Sequence, residues 1–217
     1  MLLAAGRGER MRPLTDKTPK PLLEVRGKPL IAWLIEGLVR GGIRDMVVNH
    51  AHLGAQIEAA LGDGRSFGAA ITYSAEVQPL ETAGGIANAL SLLGSAPFLA
   101  VNADIFCNYD FGRLRGLPPD WALAHLVLVP NPTHHPLGDF ALLDGRTRNQ
   151  GAASFTFAGI GVYRPAFFDG IAHGERAPLA PLLRAANERN LISGELFCGD
   201  WHDVGTPDRL AALSEGA

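Results

Sequence analysis

Leu3-Ala4-Ala5-Gly6-Arg7-Gly8-Glu9-Arg10-Met11-Arg12-Pro13-Leu14-Thr15, followed by Pro19-Lys20-Pro21-Leu22-Leu23, is the stretch on which the reading of this chain turns. Leu2 to Ala5 is a short apolar strand, and a long polar loop from Gly6 to Lys20 leaves its end. Gly6-Arg7-Gly8-Glu9-Arg10-Met11 opens like a dinucleotide fingerprint, but Met11 stands where the third glycine belongs. Pro13 and Pro19 also bar the helix that should follow. The phosphate-loop pattern fails too, because no Gly-Lys-Ser/Thr occurs. What remains is a strand, a pair of glycines, and Arg10, Arg12, Lys17 and Lys20 close together. Glycines let backbone N–H groups converge on an anion, arginine offers a planar fork to phosphate, and lysine acts as a point charge. By themselves these residues fit either an anion site or a solvated basic loop.

Outward from this loop, apolar runs bounded by glycine and proline alternate with segments of helical period. Pro29 opens a helix with Leu30, Ile31, Leu34 and Leu38 on one face, ended by Gly41 and Gly42. Asp45 to Asn49 is a buried strand; Leu53, Ile57, Ala60 and Leu61 mark a second helix; Ala70 to Ser74 is a third strand. Gly85 to Leu93 is helical, and Pro97 to Val101 is a fourth strand, ending at Asn102, Ala103 and Asp104. This alternation implies a mostly parallel sheet with helices on both faces. The second half differs. Ala122 to Val129, Ala153 to Tyr163 and Gly194 to His202 are strand-rich, with a helix from about Leu179 to Asn190 and a last one capped by Thr206 before Pro207. The expectation is one α/β domain with an appended mixed region and no dividing linker.

The 217 residues suffice for a sizeable core, and 47% apolar with 19% charged residues is ordinary for a soluble protein. A net charge of −3 argues against a broad basic surface for nucleic acid, without excluding a nucleotide substrate. Cys107 and Cys198 lack partners at metal-ligand spacing and read as free thiols. No signal peptide and no membrane-length apolar run is visible, so the chain reads as cytoplasmic, a monomer or small homo-oligomer with no membrane partner.

Leu-Ala-Ala-Gly-x-Gly-x-Arg-Met-x-Pro-Leu-Thr with Pro19-Lys20-Pro21 resembles the signature of the sugar-1-phosphate nucleotidyltransferases (NDP-sugar pyrophosphorylases). The resemblance continues through Glu76-x-x-Pro79-x-x-x-x-Gly84-Gly85, Asn102-Ala103-Asp104 and Trp201-His202-Asp203-Val204-Gly205-Thr206, and so spans the chain. It implies a Rossmann-like nucleotide-binding half, about residues 1–110, joined to a mixed α/β sugar-binding half, about residues 111–217. The implied reaction is attack by a sugar-1-phosphate oxygen on the α-phosphorus of a nucleoside triphosphate. That nucleophile is already an anion, so positioning and electrostatic stabilisation must supply most of the rate.

In the family, aspartates matching Asp104 and Asp203 hold Mg2+, which prefers one or two carboxylates completed by phosphates and water. Asp104 follows a strand, at the edge where open α/β sheets place ligands, whereas Asp110 and Asp200 read as turn or surface residues. Arg10 and Lys20 match the residues that neutralise phosphates, with Lys20 between the substrates. The resemblance further implies nucleotide contacts at Ala4, Ala5, Gly6, Gly8, Glu76, Pro79, Gly84, Gly85 and Asn102, with Glu76 at the base. Asn102, Asp139 and Gly159 are the candidates on the sugar side.

Pro79-Leu80-Glu81-Thr82-Ala83-Gly84-Gly85, Asn131-Pro132-x-His134-His135-Pro136-x-Gly138-Asp139-Phe140 and Phe157-Ala158-Gly159-Ile160 are similar to uridylyltransferases that use UTP and N-acetylmuramate-1-phosphate in peptidoglycan recycling. Guanylyltransferases for mannose-1-phosphate share the Thr-Ala-Gly and are the rival. A silent nucleotide or sugar-phosphate sensor is a further alternative, opposed by the joint presence of Arg10, Lys20, Asp104 and Asp203. His134 and His135 read as a loop pair framed by prolines rather than as metal ligands. Two departures from the family stand out. No Glu-Lys follows Asp104, so Lys20, the metal, or an arginine such as Arg146 or Arg148 must anchor the sugar phosphate. The chain also begins almost at Leu-Ala-Ala-Gly, so either a shortened first strand or a misplaced start is expected.

Overall fold

The strand Leu2–Leu3 runs parallel to Asp45–His50 on one side and to Phe98–Asn102 on the other, in a computed structural model that describes residues 1–215. Ala70–Ala75 extends this parallel part beyond Asp45–His50. Across Phe98–Asn102 the sheet changes character. Thr156–Tyr163 pairs antiparallel with it and with Ala124–Val129, and Ile192–Leu196 then pairs parallel to Ala124–Val129. Arg146–Arg148 and Ala141–Leu143 finish the far edge, so a single nine-stranded sheet passes through both halves of the sequence. The expected α/β architecture, parallel and helix-flanked first and mixed afterwards, is the observed one.

Alternation along the strands explains why both faces need helices. In the strand starting at Phe98, Phe98 and Ala100 pack on one face, while Leu99 and Val101 pack on the other. Helices Leu30–Arg40 and Gly54–Leu61 cover one side through Ile31, Leu34, Ile35, Leu38, Ile57 and Leu61. Helices Glu81–Leu93 and Leu179–Glu188 cover the other through Ile86, Ala89, Leu183 and Ala186. Each fully buried Leu or Ile of this kind stabilises by about 1.5–3 kcal/mol. The helix that starts after Pro29 ends as expected: Gly42 takes φ 78, and the Ile43 N–H reaches back 2.9 Å to the Leu38 carbonyl.

Three boundaries differ from expectation. The first strand stops at Leu3, because the Ala4 N–H donates to Asn49 Oδ1 at 2.9 Å instead of to a neighbouring strand. The third helix begins at Glu81, not Gly85, so the glycines lie inside its first turns. The last strand-rich stretch divides into Ile192–Leu196, within the main sheet, and Trp201–Asp203, which forms a separate antiparallel ribbon with Ile105–Cys107. Cys107 and Cys198 are both free, and no helix among the described residues is long and apolar enough to cross a membrane.

Candidate active site

The C-terminal ends of the parallel strands all open onto one cleft. Ala4–Gly6, Asn49, Pro79 and Asn102–Asp104 emerge there, at the sheet edge where α/β folds bind ligands. The cleft consists of three connected spaces. One of about 600 Å3 lies under the opening loop and is lined by Gly6, Gly8, Arg10, Lys20, Pro79, Asp104 and Arg176. A second, about 200 Å3, lies between Ala4–Gly6 on one side and Pro79, Glu81 and Thr82 on the other. The third, about 370 Å3, is bounded by Arg10, Asn102, Asp104, His134, Gly159, Trp201 and Asp203. Asp104 borders all three.

The opening loop is rigid for identifiable reasons. It winds through three short turns, Glu9–Met11, Leu14–Asp16 and Lys20–Leu22. Met11, which replaces the fingerprint's third glycine, is fully buried with Leu23, Val25, Leu30, Val204 and Leu213, so it anchors the loop instead of approaching a ligand. Gly8 has φ 64, and a Cβ there would meet Thr15 Cγ2 at 2.8 Å, so only glycine fits. The Thr15 hydroxyl donates to the Gly8 carbonyl at 2.8 Å and closes the loop. Lys20, nearly buried between two prolines, donates to Asp104 Oδ2 at 2.5 Å.

Asp203 is held differently. The Arg209 guanidinium, from the helix Pro207–Glu215, donates to its Oδ2 at 2.5 Å and to its backbone carbonyl at 3.3 Å. His134 Nε2 stands 2.9 Å from Asp203 Oδ1, a buried oxygen that accepts no well-directed hydrogen bond among the described residues. Gly205 leaves the space for Arg209, whose guanidinium carbon and nitrogens would lie about 3.1–3.2 Å from a Cβ there. Asp104 and Asp203 both border one cavity; Asp104 Oδ1 lies outside the Lys20 contact, and Asp203 Oδ1 is a buried oxygen with no hydrogen-bond partner among the described residues, beside His134. Two hard oxygen donors beside a cavity of about 370 Å3 fit magnesium, which takes its remaining ligands from phosphate and water. They do not suit a metal that needs a full protein cage, and no group of three ligating side chains occurs among the described residues.

The structure brings together Ala4, Ala5, Gly6, Gly8, Arg10, Lys20, Pro79, Asn102, Asp104, Gly159 and Asp203 along this cleft. Gly159, at a bulge with φ 72, is where a Cβ would sit 2.7 Å from Asn102 Nδ2, so the glycine leaves room for the asparagine side chain.

Other expected site residues do not line it. Glu76, expected at the base, is buried with both oxygens bonded inside the chain: Asn49 Nδ2 donates to Oε1 at 2.7 Å and the Leu80 N–H to Oε2 at 2.9 Å. Gly84 and Gly85 admit neighbouring chain. A Cβ on Gly84 would lie 2.3 Å from the Glu175 carbonyl, and one on Gly85 2.8 Å from Asn49 Nδ2 and Glu76 Oε1. Asp139 accepts from the Phe157 N–H at 2.8 Å and faces His135 at 3.2 Å, which clips its loop to the bulged strand. Arg146 and Arg148 lie in the strand next to the far edge of the sheet, Arg146 stacked 3.6 Å over Trp121. The arginines that line the cleft are instead Arg7, Arg10 and Arg176, and Arg209 stands behind Asp203. Sequence reasoning missed Arg176, Trp201 and Arg209, and it set His134 aside as a loop residue. The signals available were that Trp201 opens the Trp201-His202-Asp203-Val204-Gly205-Thr206 run and that Arg209 follows it closely.

Comparison with known proteins gives the family. The family model described as nucleotidyl transferase matches residues 1–116. The N-acetylmuramate alpha-1-phosphate uridylyltransferase of Neisseria meningitidis is 54% identical over 97% of this chain and 94% of its own length. The enzyme of the same name from Caulobacter vibrioides is 34% identical over 98% of this chain and 94% of its own. Matches to mannose-1-phosphate guanylyltransferases are more distant. Among solved structures, a candidate glucose-1-phosphate thymidylyltransferase from Bacillus anthracis superposes with a TM-score of 0.86 at 20% identity, over 100% of this chain and 93% of that one, and so shares the fold. The chain belongs to the nucleotidyl transferase family and is an enzyme of that class.

Proposed function

We propose that this enzyme transfers a uridylyl group from UTP to N-acetylmuramate-1-phosphate with magnesium, releasing pyrophosphate. The observation that carries the reading is the 2.5 Å contact of Lys20 with Asp104, at the point where all three spaces of the cleft meet. The base and ribose lie beside Ala4, Ala5 and Pro79, with the triphosphate along Gly6, Gly8 and Arg10. The sugar phosphate enters from the side of Asn102 and Gly159. The names of the two bacterial relatives support the choice of UTP and the muramate sugar, and a role in cytoplasmic cell-wall recycling is consistent with that substrate pair.

The chemistry follows from charge. The sugar phosphate attacks as an anion, so the protein needs no base and no covalent intermediate. Two phosphates must approach while negative charge grows on the leaving pyrophosphate, and fixed cations aimed at those oxygens lower that barrier. Lys20 bridges the attacking and attacked phosphates, and Arg10 neutralises the leaving end. Asp104 and Asp203 would hold magnesium, which when bound offsets phosphate charge and orients the oxygens. Arg176, in the same space as Arg10, and Arg209, beside Asp203, supply cations in the half that lacks the family's lysine.

The test is pyrophosphate release with magnesium across the common nucleoside triphosphates and a panel of sugar-1-phosphates. Release mainly with UTP and N-acetylmuramate-1-phosphate is expected. Release only with GTP and mannose-1-phosphate would overturn the assignment, and tight nucleotide binding without release would indicate a sensor.

A further inference from the structure

Asn49 and Glu76 form a buried relay beneath the smaller nucleotide space. The Ala4 N–H donates to Asn49 Oδ1 at 2.9 Å, Asn49 Nδ2 donates to Glu76 Oε1 at 2.7 Å, and the Leu80 N–H donates to Glu76 Oε2 at 2.9 Å. Both side chains are more than nine-tenths buried, and each oxygen of the Glu76 carboxylate is met by a neutral N–H. The bonded ends are informative. Ala4 belongs to the wall formed by the opening loop, and Leu80, itself buried, lies between Pro79 and Glu81 of the wall that begins the helix Glu81–Leu93. Asn49 lies near the end of one parallel strand and Glu76 just past the end of its neighbour, where the Glu76 N–H donates to the His50 carbonyl at 2.8 Å. The relay thus ties the two walls of one cavity through the ends of the strands below it. Gly85 lies where a Cβ would strike both relay side chains, which lets the helix close over them.

We propose that Asn49 and Glu76 are positioning residues that set the width of the nucleotide slot, Glu76 acting through the Leu80 backbone rather than by touching the base. This rests on the reading of that space as the base and ribose site. The relay has a definite polarity: both end groups are backbone donors, so the two side chains must present an acceptor at each end and share a donor between them. Asn49 with Glu76 satisfies this. The double exchange Asn49→Asp with Glu76→Gln satisfies it too, because the carboxylate and the amide trade places and the middle bond reverses. Either single exchange does not. Glu76→Gln alone leaves a buried donor without an acceptor or sets two amides N–H to N–H. Asn49→Asp alone sets two carboxylates together in a desolvated place.

The experiment is a double-mutant cycle on the full chain, reading UTP affinity by calorimetry, the KM values for UTP and the sugar-1-phosphate, and Tm. Each single variant should weaken UTP binding by roughly tenfold or more, since a buried group left unpaired carries a penalty of that order. The sugar-1-phosphate KM should stay near the parent value, and the double variant Asn49→Asp/Glu76→Gln should recover both UTP affinity and Tm. A relay that only supports the fold would lower Tm in the singles while leaving the UTP affinity of the folded fraction unchanged, and that would overturn the proposal. So would a Glu76→Gln chain that binds UTP like the parent, or a double variant no better than the singles. A parent that binds no nucleoside triphosphate would instead remove the functional reading on which the proposal stands.

Discussion

The two carboxylates that face the cleft are secured from opposite kinds of chain. Asp104 is met by Lys20, from a loop whose turns, prolines and buried Met11 lie within a few residues of one another. Asp203 is met by Arg209 from the last helix and by His134 from a distant loop, and its ribbon is tied down by Trp201 Nε1 donating to the Ala158 carbonyl at 2.9 Å. One wall is made of consecutive residues and the other of residues scattered along the second half. The difference teaches where function concentrates: a contiguous wall tolerates little substitution, because each residue sets both the backbone and the charge, whereas the assembled wall divides the same task among several side chains.

Substitutions can break that contrast, and the largest effect is expected on the contiguous side. Lys20→Ala should lower kcat by roughly 10²–10³-fold or more, as loss of a preorganised charge at a reacting oxygen does. Its circular dichroism and Tm should remain close to the parent, and near-normal turnover would refute the role. Arg209→Ala should cost less, about tenfold in turnover, because His134 still faces Asp203. An Arg209 effect as large as that of Lys20 would erase the distinction between the walls. Gly159→Ala should act mainly on the sugar phosphate, raising its KM several-fold while leaving that of UTP little changed. The new methyl meets Asn102 at 2.7 Å in a backbone with φ 72, and such strain costs about 1 kcal/mol or more.

The smallest effect concerns stability in the second half. Burial holds the His125 imidazole below its ordinary value of 6.5, with Glu195 opposing the shift weakly. Its Nδ1 bonds Ser193 Oγ at 2.9 Å, while Nε2 has no hydrogen-bond partner among the described residues. The unfolded chain therefore takes up this proton at a higher pH than the folded one. Stability should be full above about pH 6.5 and should fall as the pH drops from there toward the lower folded-state value. Denaturant titrations across that range should show the slope, and His125→Phe should flatten it.

The same contrast governs how much could be read from the sequence. Alternating strands and helices announced the sheet, and Pro29 with Gly41 and Gly42 marked a helix almost to the residue. The opening loop was legible because its chemistry is local. Glu76, Gly84 and Gly85 do not line the cleft, and sequence could not show this for a physical reason: an acidic residue and two glycines near a strand end look alike whether they meet a base or admit another piece of chain. Only the Cβ positions, blocked by Glu175 and Asn49, distinguish the two. Asp139 is a similar case, since it accepts from the Phe157 backbone N–H, a partner that no sequence pattern reveals. Arg209 and Arg176 were hidden because a lone arginine on a helix or loop carries no motif, and tertiary packing alone brings them to the cleft.

Single-turnover transfer from UTP labelled at the α-phosphorus tests the central claim most directly. With magnesium and N-acetylmuramate-1-phosphate, the label should pass into the UDP-sugar in one step in the parent chain. The Lys20→Ala chain should transfer it far more slowly, and at no time should label be bound to protein. Label retained on the protein, or released only as UMP, would contradict direct attack across the contact between Lys20 and Asp104.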